Sequence, residues 1–157
     1  MELTRDFKEF IELLNAHEVK YLIVGEYAVN YHGYIRFTGD LDFWIWIEKE
    51  NIKKLLSAIN EFGFGSLKLN STDFVNPENI IQFGVEPNRI DLLVDVDTLN
   101  FEQCYTRRVI QKKEGVEINI ISIDDLIIAK EAAGRPQDLA DVYHIKKVKE
   151  IISKNKK

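Results

Sequence analysis

The sequence predicts an α/β (α+β) fold, and three observations carry that expectation. An almost wholly apolar run, Lys20 to Val24, ends at Gly25 and leads into a short helical pattern closed by Gly33. A second strand pattern, Asp40 to Ile47, is rich in aromatic and β-branched residues and opens on two aspartates. Two hairpin patterns and two further helical segments complete the chain.

Taken in order, residues 5 to 17 place Phe7, Phe10, Ile11 and Leu14 at helical spacing, so an amphipathic first helix is expected. The run from Lys20 to Val24 then reads as a buried central strand, and Glu26 to His32 as two helical turns. In the strand from Asp40 to Ile47, alternation puts Asp40, Asp42, Trp44 and Trp46 on one face and Leu41, Phe43, Ile45 and Ile47 on the other. Glu50 to Phe62 carries Ile52, Leu55, Leu56 and Ile59 in helical register, with Gly63 and Gly65 ending it. A loop follows at Ser71, Thr72 and Asp73.

Ile80 to Val85 and Arg89 to Val96 flank Glu86-Pro-Asn-Arg89, good turn residues, and predict an antiparallel hairpin. Arg107 to Lys112 and Val116 to Ile121 predict a second one around Lys113-Glu-Gly115. Ser122, with Asp125 three residues on, resembles a capping box and starts a helix over 123–133. Gly134-Arg-Pro136 interrupts it, Pro136 suits the first turn of a last helix reaching about Lys149, and the lysine-rich end over 146–157 is expected to fray.

At 157 residues the chain suits one domain spanning 1–157. Cys104 is the only cysteine, which excludes an internal disulfide and a multi-thiolate zinc site and favours the reducing cytoplasm. No signal peptide and no membrane-spanning run is legible. The net charge of −5 argues against a coat that neutralises many nucleic-acid phosphates. Part of that acidic excess gathers at Asp40, Asp42, Asp91, Asp95 and Asp97, the contribution a metal-binding cluster makes.

Gly39-Asp40-Leu41-Asp42 is the most informative local feature. Carboxylates at i and i+2 of a strand point to the same side, roughly 6 to 7 Å apart by the rise per residue. They can converge on one hard cation or bridge two, and Mg²⁺ needs only two or three protein carboxylates beside water or phosphate oxygens. Asp91, between the apolar Ile90 and Leu92-Leu93, is the natural third ligand, because neighbouring buried carboxylates require a cation or protons. The plainer account makes Asp40 and Asp42 the polar start of a strand and Asp91 a turn residue. The ordered set of strand, glycine turn, helix and acidic strand favours the metal.

Tyr21-Leu-Ile-Val-Gly25, Arg36-Phe-Thr38-Gly-Asp40-Leu-Asp42 and Ile90-Asp91-Leu-Leu93 together resemble the core of the minimal nucleotidyltransferases. This is the polymerase-beta-like nucleotidyltransferase superfamily, in its branch related to abortive-infection and toxin–antitoxin proteins. The family's pattern is an apolar strand, a Gly-Gly or Gly-Ser turn, Asp-x-Asp on the next strand and an acidic residue on a later one. Ser122-Ile-Asp-Asp-Leu-Ile-Ile-Ala-Lys130 and Ala133-Gly-Arg135-Pro-Gln-Asp138-Leu-Ala-Asp141 are similar to its lysine helix and arginine-aspartate helix. The resemblance covers most of the chain.

It implies a mixed, mostly antiparallel sheet flanked by helices, with one or two Mg²⁺ on Asp40, Asp42 and Asp91. The implied reaction is attack of an acceptor hydroxyl, on an RNA, a protein or a small molecule, at the α-phosphorus of a nucleoside triphosphate. Asp91 is the implied residue for orienting or deprotonating that hydroxyl. Gly25 and the adjoining Glu26 would lie at the triphosphate, with Lys130 and Arg135 at its phosphates and Arg36 and Thr38 bracing the loop or touching phosphate. For Lys130 and Arg135 the plainer alternative is a solvated helix end. Asp138 and Asp141 are given a supporting role, pairing with Lys130 or Arg135. A toxin role with a cognate antitoxin also follows from the resemblance.

Glu26 replaces the family's second Gly or Ser, and Gln137 stands where relatives often carry a lysine. A negative charge beside a triphosphate is repulsive unless it points away or meets metal. The second expectation is therefore a degenerate module that keeps the fold and binds a partner protein or nucleotide; a third is a hydrolase or nuclease on the same acidic cluster. Trp44 and Trp46 are expected to pack under a helix, with stacking on a base as the alternative. His17, His32 and His144 show no ligand spacing, Cys104 reads as a small buried hydrophobe, and the basic tail reads as solvated, with RNA contact as its alternative.

Overall fold

The computed structural model describes residues 3–35, 39–64 and 68–155. Thr4 caps the first helix, α1 (Arg5–Ala16), its hydroxyl accepting from the Phe7 N–H at 3.2 Å. The apolar stripe of α1, Phe7, Phe10, Ile11 and Leu14, is wholly buried. Strand β1 (Tyr21–Val24) follows, then α2 (Gly25–Tyr31), β2 (Asp40–Ile45) and α3 (Lys49–Ile59). A π turn at Asn60–Phe64 and a 3-10 turn at Ser71–Phe74 lead to β3 (Ile81–Phe83) and β4 (Arg89–Leu93). The chain closes with α4 (Phe101–Thr106), β5 (Val109–Lys113), β6 (Val116–Ile120), α5 (Ile123–Ala133) and α6 (Pro136–Asn155).

The six strands form one mixed sheet in the order β3-β4-β2-β1-β6-β5. Three adjacent pairs are antiparallel, β1 with β2 and the hairpins β3-β4 and β5-β6; β1-β6 and β2-β4 are parallel. Every residue of β1 is buried, as a strand covered on both faces requires. The register positions the site. Val24, the last residue of β1, pairs with Asp42, and Asp42 pairs with Asp91, so three strands deliver Gly25, Asp42 and Asp91 to one end of the sheet.

Several elements differ from the sequence expectation for physical reasons. Strand β2 stops at Ile45, because Glu48 turns away to cap α3 by accepting from the Glu50 and Asn51 N–H groups, and Ile47 is left exposed. Strand β4 ends at Leu93, short of Val96. The segment around Ser71 contains a 3-10 turn closed by a capping box from Asn70 and Asp73. Helix α4 has no counterpart in the expectation: its six residues are too few for a periodic signal, although Asn100 caps it onto the Gln103 N–H at 3.0 Å. Residues 146–155 continue α6 rather than fray. Lys149 pairs with Asp124 of α5 at 2.5 Å and Lys146 with Glu131 at 3.4 Å, which ties the helix to α5 up to Lys149.

Trp44 is buried edge-on against Phe101 of α4, ring centroids 5.2 Å apart, and Trp46 stacks on the same ring at 6.4 Å. Both tryptophans thus pack under a helix as expected. Cys104 is fully buried beside them, and burial pushes its thiol up to about 11, the behaviour of an inert small hydrophobe. Burial likewise holds the His32 imidazole below its ordinary value, while its Nε2 lies 2.8 Å from the Ile121 carbonyl oxygen.

Candidate active site

The acidic pair and the third aspartate come together. Carboxylate oxygens of Asp40, Asp42 and Asp91 lie within 4.8 Å of one another. The two strands run parallel, so Asp42 faces Asp91 directly while Asp40 faces Arg89, two positions before it. Asp91 is buried, Asp40 and Asp42 partly so. Burial, then the charges of Asp40 and Asp91, push the Asp42 carboxyl up to about 8. Carboxylate oxygens this near to one another could hold one divalent ion or two. The donor set, oxygen only and rich in negative charge, fits a hard divalent cation.

Gly25 is required where it stands. Its φ of +67° belongs to the left-handed region, and a Cβ there would come within 2.1 Å of Asp42 Oδ2. The turn after β1 therefore lies directly against the Asp42 carboxylate, a contact that glycine permits.

Arg89 is the residue that sequence reasoning missed. Its guanidinium donates from Nη2 to Asp40 Oδ2 at 2.5 Å and from Nε to Asp91 Oδ1 at 3.1 Å, placing positive charge among the carboxylates. Its position in the predicted turn concealed this, since only the β2–β4 register brings it to Asp40, 49 positions away in the chain.

A cleft of about 280 Å³ opens beside Asp42, lined by Val24, Gly25, Asp95, Asp97, Lys130 and Arg135 among others. Lys130 is buried, so the solvated-end account fails for it. Its ammonium donates to Glu26 Oε1 at 3.3 Å and to Asp138 Oδ1 at 3.2 Å, and pairs electrostatically with Asp141 Oδ2 at 3.1 Å. Glu26 thus points at Lys130, which accounts for the tolerance of an acid in the glycine turn. Arg135, with an exposed side chain, caps Asp138 through Nε at 2.7 Å. Burial alone would raise the Asp138 carboxyl; hydrogen bonds from Arg135 and the charge of Lys130 outweigh it and hold the group below the usual range. Gln137 donates to Asp141 Oδ1 at 3.0 Å. Arg36 and Thr38 lie outside the described residues.

No described helix is long and apolar enough to cross a membrane. Comparison with curated proteins finds no match. Among solved structures the chain is similar to the candidate nucleotidyltransferase TM1012 of Thermotoga maritima, with 11% identity, 96% of this chain and 92% of that one covered, and a TM-score of 0.60. It is also similar to the lincosamide antibiotic adenylyltransferase LnuA bound to lincomycin, at 11% identity, 94% and 99% coverage and a TM-score of 0.55. A third likeness is to an antigenic nucleotidyltransferase-like protein from Paracoccidioides brasiliensis, at 14% identity, 91% and 77% coverage and a TM-score of 0.51. These share the fold: a mixed sheet flanked by helices. The family described as nucleotidyltransferase of unknown function (DUF6036) matches residues 2–154. The chain belongs to that family, and is a nucleotidyltransferase-type enzyme carrying a cluster of three carboxylates suited to a divalent cation.

Proposed function

We propose that the protein transfers a nucleoside monophosphate from a nucleoside triphosphate to an acceptor hydroxyl, with Mg²⁺ held by Asp40, Asp42 and Asp91. The observation that carries this reading is the convergence of those three carboxylates beside a cleft that also holds Lys130 and Arg135. When bound, the metal would supply charge neutralisation at the reacting phosphate. Asp91 orients the acceptor hydroxyl and takes its proton as the new O–P bond forms and pyrophosphate leaves. Gly25 lets the backbone approach the triphosphate, and Arg135, whose side chain is exposed at the cleft, meets a phosphate as a fork. Lys130 reaches the phosphates only by exchanging one of its three carboxylates, and Glu26, the most exposed of them, is the one to yield. Asp138 and Asp141 support Lys130 and Arg135; the resemblance gives Arg36 and Thr38 a role in bracing or in phosphate contact.

The acceptor class is open to RNA, protein or small molecule, and the bound lincomycin of LnuA favours trying small molecules first. Action as a toxin countered by an antitoxin rests on the resemblance alone, and a cytoplasmic site of action on the single, buried Cys104. The test is incubation with each nucleoside triphosphate labelled at the α-phosphate, Mg²⁺ and pools of RNA, protein and small-molecule acceptors. Label covalently retained on one acceptor class is expected; label released only as free monophosphate would contradict transfer and favour hydrolysis.

A second reading is a non-catalytic module that binds a partner protein or nucleotide. The engagement of the buried Lys130 ammonium by three carboxylates of its own chain, Glu26, Asp138 and Asp141, favours it. It predicts nucleotide or partner binding without label transfer.

A further inference from the structure

The guanidinium of Arg89 stands among the carboxylates assigned above to metal. Besides its bonds to Asp40 and Asp91, its Nη1 lies 3.8 Å from Glu86 Oε1, and its side chain is about one third exposed, so it has solvent on one side into which to turn. Glu86 is largely exposed and lies over Gly39, where a Cβ would come within 2.9 Å of its Cδ. The absence of a side chain at position 39 leaves the Glu86 carboxylate room beside Asp40.

Arginine does not deprotonate in proteins, so its charge leaves this site only by movement. Asp40 Oδ2 and Asp91 Oδ1, the oxygens that accept its N–H groups, belong to the same carboxylates that a divalent cation would draw together. One monovalent guanidinium offsets a single negative charge, whereas a divalent cation offsets two from one centre. The two occupants compete for the same carboxylates.

We propose that Arg89 is a displaceable counter-cation of the metal site: it holds Asp40 and Asp91 in the metal-free protein and swings to Glu86 when a divalent ion enters. The inference rests on the metal reading of the acidic cluster. Arg89 thereby sets the affinity for metal, weakening it at low concentration of the ion and keeping the carboxylates ordered without it.

The test uses Mn²⁺ alone, without nucleotide, with bound ion counted by electron paramagnetic resonance. Arg89→Gln is expected to bind Mn²⁺ roughly five- to tenfold tighter than wild type, the loss of a charge-assisted, two-carboxylate pairing. Arg89→Lys, a point charge without the fork, should fall between them and serves if the glutamine variant does not fold. Glu86→Gln should weaken Mn²⁺ binding roughly two- to fivefold in wild type and leave it unchanged in Arg89→Gln, because the acceptor matters only while the arginine is present. Equal or weaker Mn²⁺ binding in both Arg89 variants, with binding abolished in Asp40→Ala/Asp42→Ala, would overturn the inference and leave the metal site standing. Mn²⁺ binding unaffected by Asp40→Ala/Asp42→Ala would overturn the metal site and the inference with it.

Discussion

Lys130→Met is expected to destabilise the protein by about 3 to 5 kcal/mol, the cost of breaking a buried ion pair by removing one partner. Methionine keeps most of the aliphatic stem, so packing changes little and the loss is electrostatic. Asp138 and Asp141, both essentially inaccessible, would then face each other and Glu26 without the ammonium that lies 3.1 to 3.3 Å from all three. Arg135 still pairs with Asp138, which bounds the effect from above. Against a typical total stability of about 5 to 15 kcal/mol this is a large fraction, equivalent to roughly 10 °C or more in Tm for a chain of this size. Denaturant unfolding measures it. A change below about 1 kcal/mol would mean that the cluster is solvated enough to behave as a surface pair.

The second large effect sets activity against stability at Asp42. Asp42→Asn is expected to lower nucleotide transfer by roughly 10²- to 10⁴-fold, the range for loss of a group acting at the reacting centre. The same variant should be more stable than metal-free wild type at alkaline pH. Burial and the flanking charges of Asp40 and Asp91 push the Asp42 carboxyl from 3.8 up to about 8 in the folded protein. Between those values the folded chain keeps a proton that the unfolded chain has released, so wild-type stability falls as pH rises through that window and is flat below and above it. Asparagine cannot ionise and removes that slope. A divalent cation should also restore wild-type stability at pH 8 while leaving Asp42→Asn unmoved. Melting curves from pH 4 to 9, with and without Mg²⁺, test both; parallel profiles for the two proteins would refute the account of Asp42.

Much of the site was legible in local sequence because its chemistry is local. The apolar run ending at Gly25 and the Asp-x-Asp that opens the next strand are set by alternation and by a single glycine, and both lie where that reading put them. Asp91 was legible because an acid flanked by Ile90 and Leu92 has to be explained by something inside the sheet. What remained hidden depends on register and on contacts between distant elements. Arg89 reads as a turn residue until a parallel pairing with β2 sets it opposite Asp40. Lys130 reads as a helix end until α6 folds back and brings Asp138 and Asp141 onto it. The same packing settles the direction of Glu26, which periodicity leaves undetermined. Strand ends were read too long at Ile47 and Val96, where capping and turning compete with strand propensity.

Calorimetric titration of the four nucleoside triphosphates with Mg²⁺ into wild type and into Asp40→Ala/Asp42→Ala tests the central claim most directly. The account predicts metal-dependent binding of at least one nucleotide to wild type, lost in the double variant and on removal of Mg²⁺. No binding to folded wild type at millimolar nucleotide would contradict a transferase site and leave the fold as a partner-binding module.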